Sequence, residues 1–325
     1  MANTSDGTSF ILAAYSDMGD LRYLAFTVLL LLYLVIICVN ILLVYVIYAN
    51  RSLHEPQYFL LCSLAVNGLY GSTGLFPSLL FNIASGNYTI SRVHCLMQIF
   101  CLYTYGIVEL TSLAVMGYDR YLSICYPLQY NMIMSPSKVH KLILLIWLFP
   151  LAIFSVFFLY CIQLPLCNWV INKVYCDNYS LIKLACVDTT INNIFGIMLI
   201  IVCIVLQSLI ILYSYVKILS ICLKSSRDSS IKALNTCIPH LVTLLNFAAG
   251  SAFELIQSRF NMSHMPYMAR VILSVYFLIF PPLLNPIIYG IKTQAIKSRL
   301  KIMLCEKIGI PVTETQKRIK CNPLN

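Results

Sequence analysis

The chain has 325 residues, of which 60% are hydrophobic and 10% charged, and its mean hydropathy is +0.82. A soluble domain of this length carries roughly 25% charged residues to cover its surface, so this composition excludes a soluble globular protein and indicates a membrane protein. We therefore interpret the formal net charge of +10 as a sign of membrane topology rather than of nucleic-acid binding.

Seven apolar stretches follow one another, each near the ~20 residues that cross a bilayer. The first 20 residues lack the basic start and long apolar core of a cleavable signal. Long, continuous apolar runs predict helices rather than the short alternating strands of a barrel. We predict an all-α integral membrane fold, a seven-transmembrane-helix bundle, with spans at Tyr23–Ala49, Tyr58–Ile83, Cys95–Ser123, Val139–Ile162, Ile191–Leu219, Ile238–Ile256 and Met268–Gly290.

Lys and Arg residues divide unevenly between the two sides of these spans, 16 against 6. The positive-inside rule then places the N-terminus outside and the C-terminus in the cytoplasm. We expect residues 1–22 to be an extracellular N-terminus, residues 23–292 the seven-span domain, and residues 293–325 a short amphipathic membrane-surface helix and tail. Four glycosylation sequons lie on the outer side, at Asn3, Asn87, Asn178 and Asn261.

Four of the 14 cysteines lie on the oxidising side: Cys95, Cys167, Cys176 and Cys186. Four cysteines allow three pairings, and their spacing does not choose among them. Zinc binding is the alternative, but no CxxC or histidine spacing supports it, and we predict no metal.

Two sites place ionisable residues at membrane depth, where charge is costly and often functional. Asp119 and Arg120 stand together at the inner end of the third span, within MGYDRYLSICYPLQY, and we interpret the pair as a switch; the alternative is a helix end anchored by a snorkelling arginine. Glu109 lies in mid-span, where an unpaired charge costs about 2.5 kcal/mol or more. No nucleophile elbow, HExxH motif or P-loop is present, so we predict neither an enzyme nor a cofactor.

Several motifs appear in order along the chain: Asn40 in the first span, LHEPQYFL at Leu53–Leu60, MGYDRYLSICYPLQY, Trp147, Ser214 and Tyr215, KALNTCIPHL at Lys232–Leu241, and PPLLNPIIYG at Pro281–Gly290. With them the chain resembles a rhodopsin-like (class A) G-protein-coupled receptor, and within that class it is similar to odorant receptors, particularly the kind abundant in fish. The match covers nearly the whole chain.

The resemblance implies a receptor that binds a small-molecule odorant and activates a heterotrimeric G protein, one of a stimulatory type that raises cyclic AMP, in the plasma membrane of olfactory cilia. It implies disulfides pairing Cys95 with Cys176 and Cys167 with Cys186. In the resting state Asp119 is expected to hold Arg120, and the tyrosine hydroxyls of the fifth and seventh spans to close around it on activation. The implied switch residues are Asp119, Arg120, Tyr121, Tyr215, Asn285, Pro286 and Tyr289.

The implied ligand pocket lies among the outer halves of the third, fifth, sixth and seventh spans. Helical spacing and the resemblance select Leu102, Tyr103, Gly106, Ile107, Ser251, Ala252, Leu255, Arg259 and Tyr276. Each of these is also compatible with ordinary packing. Arg259 is the exception, because a guanidinium there could grip the carboxylate of a small acid or amino acid; the alternative is an interfacial arginine.

Two departures from the family pattern lie inside the predicted bundle. One is near the buried polar residues Asn40, Asn67 and Glu109, and the other is in the sixth span. In odorant receptors the position of Glu109 resembles one of two acids that hold sodium, but the second acid is replaced by Gly68. A sodium ion near Glu109 would therefore lack this second acid, and the alternative is a neutral Glu109 hydrogen-bonded near Asn67 and Asn285. In the sixth span, Ala248 replaces the usual aromatic residue.

Two alternatives to an odorant receptor stay open at this point. A non-sensory class A receptor for another ligand keeps the same fold and switch but lacks the odorant-type motifs. A seven-span transporter shows ionisable residues in several spans or a repeat between halves, whereas here Glu109, Glu254 and His240 are the buried candidates.

Overall fold

The structure, a computed structural model, describes residues 9–15, 21–259 and 265–308. Within these ranges, seven helices are long and apolar enough to cross a membrane by length and composition. They are α1 (Leu21–Ala49), α2 (Pro56–Ser85), α3 (Arg92–Cys125), α4 (Pro136–Cys161), α5 (Thr190–Cys222), α6 (Arg227–Arg259) and α7 (Tyr267–Lys292). The predicted seven-helix bundle is confirmed.

Each helix extends past its predicted span at one end or both, because a hydropathy window locates only the part of a helix that crosses hydrocarbon. The largest difference is in α6, which begins at Arg227 instead of Ile238. Its first turns are polar, yet a helix satisfies its backbone hydrogen bonds internally and does not need lipid to continue. The predicted fourth span also ends one residue late, because Ile162 is the C-cap of α4.

The third helix is the centre of the bundle. In its apolar stretch 78% of residues are buried, against 28% in α1 and 17% in α5. Ser91 begins α3, since its hydroxyl accepts a hydrogen bond from the backbone N–H of His94 at 3.3 Å. At Gly86 the preceding helix ends in a left-handed conformation (φ 64°) that glycine adopts without strain.

Two disulfides and a small sheet cover one end of the bundle, here called the disulfide end. Cys95 of α3 is bonded to Cys176 in the loop between α4 and α5. Cys167 and Cys186 are bonded to each other within the same loop. These are the pairs that the family resemblance implies.

The sheet at the disulfide end has the order β2–β1–β3, with strands β1 (Ser9–Leu12), β2 (Thr89–Ser91) and β3 (Val170–Ile171). Strand β1 pairs antiparallel with β2 and parallel with β3. Phe10 and Leu12 are fully buried beneath it, and the Tyr15 hydroxyl donates to the carbonyl of Val174 at 2.7 Å. The N-terminal segment therefore holds the long loop against the bundle.

An eighth helix, α8 (Gln294–Ile308), follows α7 after a single residue, as the sequence predicts. Ile296 and Ile302 are buried, which packs this helix against the bundle. Its position on a membrane surface stays a prediction.

Candidate functional site

A cavity of about 340 Å³ lies beneath the disulfide end. Its volume falls within the range of small-molecule sites in proteins. Side chains from α3, α5, α6 and α7 and from the loop after α4 form its walls: Leu102, Tyr103, Gly106, Ile107, Leu110, Tyr175, Asp177, Cys203, Ile204, Ser208, Leu244, Phe247, Ala248, Ser251, Ala252, Glu254, Leu255 and Phe277.

Seven of the nine residues predicted for the pocket line this cavity: Leu102, Tyr103, Gly106, Ile107, Ser251, Ala252 and Leu255. They do so because α3 and α6 each turn one face towards it. Where α5 meets the cavity, a single π-helical stretch (Ile201–Val205) interrupts the α-helix and carries Cys203 and Ile204 in the wall. Such stretches frequently occur at functional sites.

Tyr276, which the sequence assigns to the pocket, does not line this cavity. Its hydroxyl donates to Oδ1 of Asn246 at 2.6 Å, and its ring stacks on Phe280 with centroids 4.5 Å apart. The next residue, Phe277, is in the wall instead. One residue corresponds to about 100° of helix rotation, so a small error in the assumed orientation of α7 exchanges the two. The side chain of Arg259 lies outside the described residues.

At the floor of the cavity, α6 has Ala248 in place of the aromatic residue that is usual in the family. Ala248 lines the cavity and leaves space there, and Phe247 lines it as well. Phe247 is buried in a cluster with Leu113 of α3 and Ile211 of α5. The aromatic side chain at this depth is thus displaced by one residue.

Four polar residues at one corner of the cavity were not assigned to the pocket from the sequence. Lys173 forms an ion pair with Glu254 and lies 3.5 Å from Oδ2 of Asp177. Tyr175 donates to Oε1 of Glu254 at 2.9 Å. Three of these four residues lie in a loop, which has no periodicity from which to infer the direction of a side chain, so the sequence did not assign them to the pocket. Glu254 was recognised from the sequence only as a buried acid.

Protonation at this corner follows from burial and charge. Burial lowers the pKa of Lys173, but the carboxylates of Asp177 and Glu254 more than reverse this effect, and the pKa lies above its ordinary value. Burial raises the pKa of Tyr175 well above its ordinary value. Lys173 is therefore an ammonium at neutral pH, and Tyr175 is a phenol that donates its proton.

Below the cavity, Glu109 of α3 is buried between two amides. The amide nitrogen of Asn67 donates to Oε2 at 2.8 Å, and that of Asn285 donates to Oε1 at 2.6 Å. Asn40 of α1 donates to the carbonyl of Pro282 in α7 at 2.8 Å. These contacts join α1, α2, α3 and α7 in the middle of the bundle. The placement of Asn67 and Asn285 agrees with the alternative in which they are hydrogen-bonded to Glu109.

At the end opposite the disulfides, Asp119 holds Arg120. The guanidinium donates two hydrogen bonds to Oδ2 of Asp119, at 2.5 and 3.2 Å, and the Tyr130 hydroxyl donates to Oδ1 at 2.7 Å. Arg120 and Tyr289 line a common cleft of about 50 Å³. Tyr121 instead packs edge-on against Tyr126.

Tyr215 is held away from Arg120 by His240 of α6. The two are joined by a hydrogen bond of 2.5 Å between the hydroxyl and Nδ1, and Nε2 of His240 donates to the carbonyl of Leu113 in α3 at 2.9 Å. Tyr289 lies 3.4 Å from the hydroxyl of Thr243. The two tyrosines expected to close around Arg120 are therefore both engaged with α6.

The glycosylation sequons differ in accessibility. Asn87 is exposed in a turn, where its side chain accepts hydrogen bonds from the backbone and hydroxyl of Thr89. Asn178 is only 4% exposed and is the first residue of the short helix Asn178–Lys183, for which Asp177 is the N-cap. Its glycosylation stays a prediction. Asn3 and Asn261 lie outside the described residues.

Seven spanning helices, a disulfide from α3 to the following long loop, and an acid–base pair at the far end of α3 define a rhodopsin-like G-protein-coupled receptor. The family model for olfactory receptors matches residues 29–307. The chain is 31% identical over 299 residues to olfactory receptor 51E1 of Homo sapiens, which covers 92% of this chain and 94% of that receptor.

Two further relatives match to a similar extent. Olfactory receptor 51G2 of Homo sapiens is 31% identical over 311 residues, covering 94% of this chain and 97% of that receptor. Olfactory receptor-like protein OLF3 of Canis lupus familiaris is 30% identical over 303 residues, covering 93% and 95%. The chain belongs to the olfactory receptor family. It is an odorant-sensing receptor and a multi-pass plasma membrane protein, not an enzyme.

Proposed function

We propose that this receptor binds a small odorant in the cavity beneath the disulfide end and activates a heterotrimeric G protein of the stimulatory olfactory type, raising cyclic AMP. The observation that carries the proposal is that one central helix, α3, lines the cavity with Leu102 and Ile107 and carries Asp119 and Arg120 at its other end. Ligand and G protein can therefore act on the same element.

The mechanism is a shift between two packings of the bundle. An odorant that fits one packing better changes their ratio only by its differential affinity for the two. The resting packing has Arg120 on Asp119 and Tyr215 on His240. Activation releases Arg120 towards the G protein, and the freed hydroxyls of Tyr215 and Tyr289 close around it, with Asn285 and Pro286 nearby in the sequence of α7.

The proposed orientation puts the disulfide end outside the cell. Residues 1–22 are then extracellular and residues 293–325 cytoplasmic. The excess of Lys and Arg on the cytoplasmic side supports this orientation, as does the placement of both disulfides in an oxidising compartment. By family resemblance the receptor lies in olfactory cilia and is of the kind abundant in fish, for which the ligand is dissolved in water. Asn87 is the exposed sequon among the described residues.

The ligand proposed from the sequence is a small carboxylate or an amino acid. Its support is Arg259, the last residue of α6, whose guanidinium would grip a carboxylate with two hydrogen bonds. If carboxylic and amino acids activate an Arg259→Ala receptor as well as the wild type, this part of the proposal fails.

The test of the function is a cyclic AMP assay in cells that co-express an olfactory stimulatory G protein, with a panel of waterborne acids, amines and amino acids. We expect at least one compound to raise cyclic AMP, and Arg120→Ala to abolish the response while the receptor still reaches the surface. Lys183→Ala removes an exposed cation at the disulfide end and serves as the control. An Arg120→Ala receptor that reaches the surface and signals normally contradicts the proposed switch.

A further inference from the structure

The polar corner of the cavity carries more negative than positive charge. Asp177 and Glu254 are the charged side chains among the described residues of the cavity wall. Both are withdrawn from water, with Asp177 3% exposed and the Glu254 side chain 13% exposed. Lys173 stands behind them and is the single ammonium paired with both carboxylates. Among the described residues, the corner therefore holds two carboxylates and one cation.

Each carboxylate has one oxygen engaged and one without a partner. Oε1 of Glu254 accepts from Lys173 and Tyr175, whereas Oε2 is buried and has no hydrogen-bond partner among the described residues. Oδ2 of Asp177 accepts from the backbone N–H of Ser180 at 3.1 Å, whereas Oδ1 is likewise buried and unpartnered within the described part of the chain. Buried polar atoms are nearly always hydrogen-bonded in native proteins.

A third polar atom with no partner in the described ranges is the hydroxyl of Ser251, also in the cavity wall. Asp177, Glu254 and Ser251, which carry these three unpartnered oxygens, all line the cavity. An uncompensated buried charge is strongly unfavourable, and a group that donates hydrogen bonds and carries a positive charge relieves it. An ammonium group does both, since it has three N–H donors and no acceptor. Lys173 shows that this corner already accommodates one ammonium.

We propose that the cavity binds a ligand consisting of an ammonium group on an apolar body, with the ammonium held by the carboxylates of Asp177 and Glu254. The assignment rests on the proposed odorant-binding function of this cavity and names the chemical class of its ligand. The body lies against the apolar wall formed by residues such as Leu102, Ile107 and Phe247. Lys173 stays in place, and the corner becomes neutral.

Other ligand charges fit this corner less well. A carboxylate with no ammonium would face two carboxylates at close range in a site of low dielectric, where like charges repel strongly. An alcohol can donate one hydrogen bond but leaves the excess negative charge uncompensated. The ammonium can come from a monoamine or from an amino acid, and an amino acid would direct its carboxylate away from this corner.

Four compounds with the same branched body separate these cases. They are L-leucine, isoamylamine (leucine without its carboxylate), isocaproic acid (leucine without its ammonium) and isoamyl alcohol, which is neutral. The full-length purified receptor is titrated with each, and binding is followed as the rise in its thermal unfolding temperature, in parallel with cyclic AMP in cells. The wild-type ranking does not depend on the folding of any variant.

At least one ammonium compound is expected to bind about 10- to 100-fold more tightly than the acid and the alcohol, the ratio expected of a charge-assisted hydrogen bond. Binding of isoamylamine identifies a monoamine site, and binding of leucine alone identifies an amino-acid site. Glu254→Gln and Asp177→Asn keep the size of each side chain and should each remove most of this preference. Asp188→Asn removes an exposed carboxylate outside the cavity and should leave it unchanged.

The assignment is overturned if neither ammonium compound raises the unfolding temperature, if the acid or the alcohol binds as tightly, or if both cavity variants retain the preference. Failure of the wider function gives a different result. Ammonium binding without cyclic AMP upholds the ligand class and overturns the coupling, whereas a cyclic AMP response to isocaproic acid alone upholds the odorant receptor and overturns the ammonium site.

Discussion

The side-chain amide of Asn285 in α7 donates a hydrogen bond to Oε1 of Glu109 in α3 at 2.6 Å. A second amide, that of Asn67 in α2, donates to Oε2 at 2.8 Å and to the carbonyl of Tyr105 at 3.2 Å. Glu109 is 1% exposed. A single carboxyl group therefore accepts hydrogen bonds from two neighbouring helices at the point where the ligand cavity gives way to the lower half of the bundle.

Replacing Glu109 by leucine should destabilise the receptor, because the Asn285 amide loses the carboxyl oxygen that it donates to and the Asn67 amide keeps only the carbonyl of Tyr105. Leaving a buried donor unsatisfied costs about 1–3 kcal/mol, so we expect a clearly lower thermal unfolding temperature for the purified Glu109→Leu receptor. Glu55→Gln changes an exposed carboxyl group at the start of α2 and is the control. Equal unfolding temperatures for the two variants would contradict this role of Glu109.

The same geometry predicts that agonist potency does not depend on sodium. Both carboxyl oxygens already accept an amide N–H, and Gly68 supplies no second carboxylate. Replacing sodium by choline at constant ionic strength should leave the half-maximal concentration unchanged. A shift of several-fold would favour an ion bound near Glu109.

His240 is expected to restrain the receptor in its resting packing. Its ring connects Tyr215 of α5 to the carbonyl of Leu113 in α3, across α6. One interhelical hydrogen bond contributes about 1 kcal/mol, equivalent to about a fivefold change in the ratio of two conformations. We expect His240→Leu to raise basal cyclic AMP by about this factor, relative to the amount of receptor at the surface.

Val242→Ala is the control for His240→Leu. Val242 lies on the same helix, is 43% exposed and does not line the cleft around Arg120. Its removal should leave basal signalling unchanged. Basal signalling of His240→Leu at the wild-type level would show that the Tyr215–His240 contact does not restrain activation.

The bundle could be predicted from the sequence because a bilayer imposes a simple rule. Every span needs about 20 apolar residues, and this length is visible without knowledge of any contact. The pairing of Cys95 with Cys176 was available only through family resemblance, since spacing left three arrangements open. Bundle architecture and landmark positions were therefore accessible, whereas the ends of the helices, such as Arg227, were not.

The wall of the cavity could be predicted only where a helix face was already oriented. Gly106 and Ile107 follow the face of α3 that is marked by Tyr103, but the choice between Tyr276 and Phe277 depends on the rotation of α7. The corner formed by Lys173 and Glu254 could not be foreseen, because it depends on how a disulfide-bound loop folds back onto α6. The burial of Asn178 has the same origin, since a sequon does not reveal whether its asparagine faces inwards.

Cys176→Ser should abolish surface expression or ligand response. The disulfide to Cys95 ties to α3 the stretch of loop that carries Tyr175 and Asp177, and both of these line the cavity. Removing a native disulfide typically costs 2–5 kcal/mol, and here it also releases part of the cavity wall. Cys38→Ser, at an exposed free cysteine in α1, is the control for loss of a thiol. Normal signalling by Cys176→Ser would overturn this role of the disulfide.

Gly106 is the position in α3 at which the size of the ligand can be changed without disturbing the fold. A Cβ built on Gly106 meets no atom within 4 Å, and the residue lines the cavity. Gly106→Ala should therefore fold at least as well as the wild type, since alanine favours a helix by about 1 kcal/mol over glycine. The added methyl group should lower the potency of the largest agonists of a homologous series more than that of the smallest, as measured by cyclic AMP dose–response curves.

Gly71→Ala is the contrasting substitution. A Cβ on Gly71 of α2 would collide with the ring of Tyr105, which is fully buried and cannot move aside freely. Overpacking of this kind costs about 1–3 kcal/mol, so we expect reduced surface expression for Gly71→Ala with no change in size preference among the receptors that reach the surface. If Gly106→Ala instead lowered potency equally for agonists of all sizes, Gly106 would not border the bound ligand.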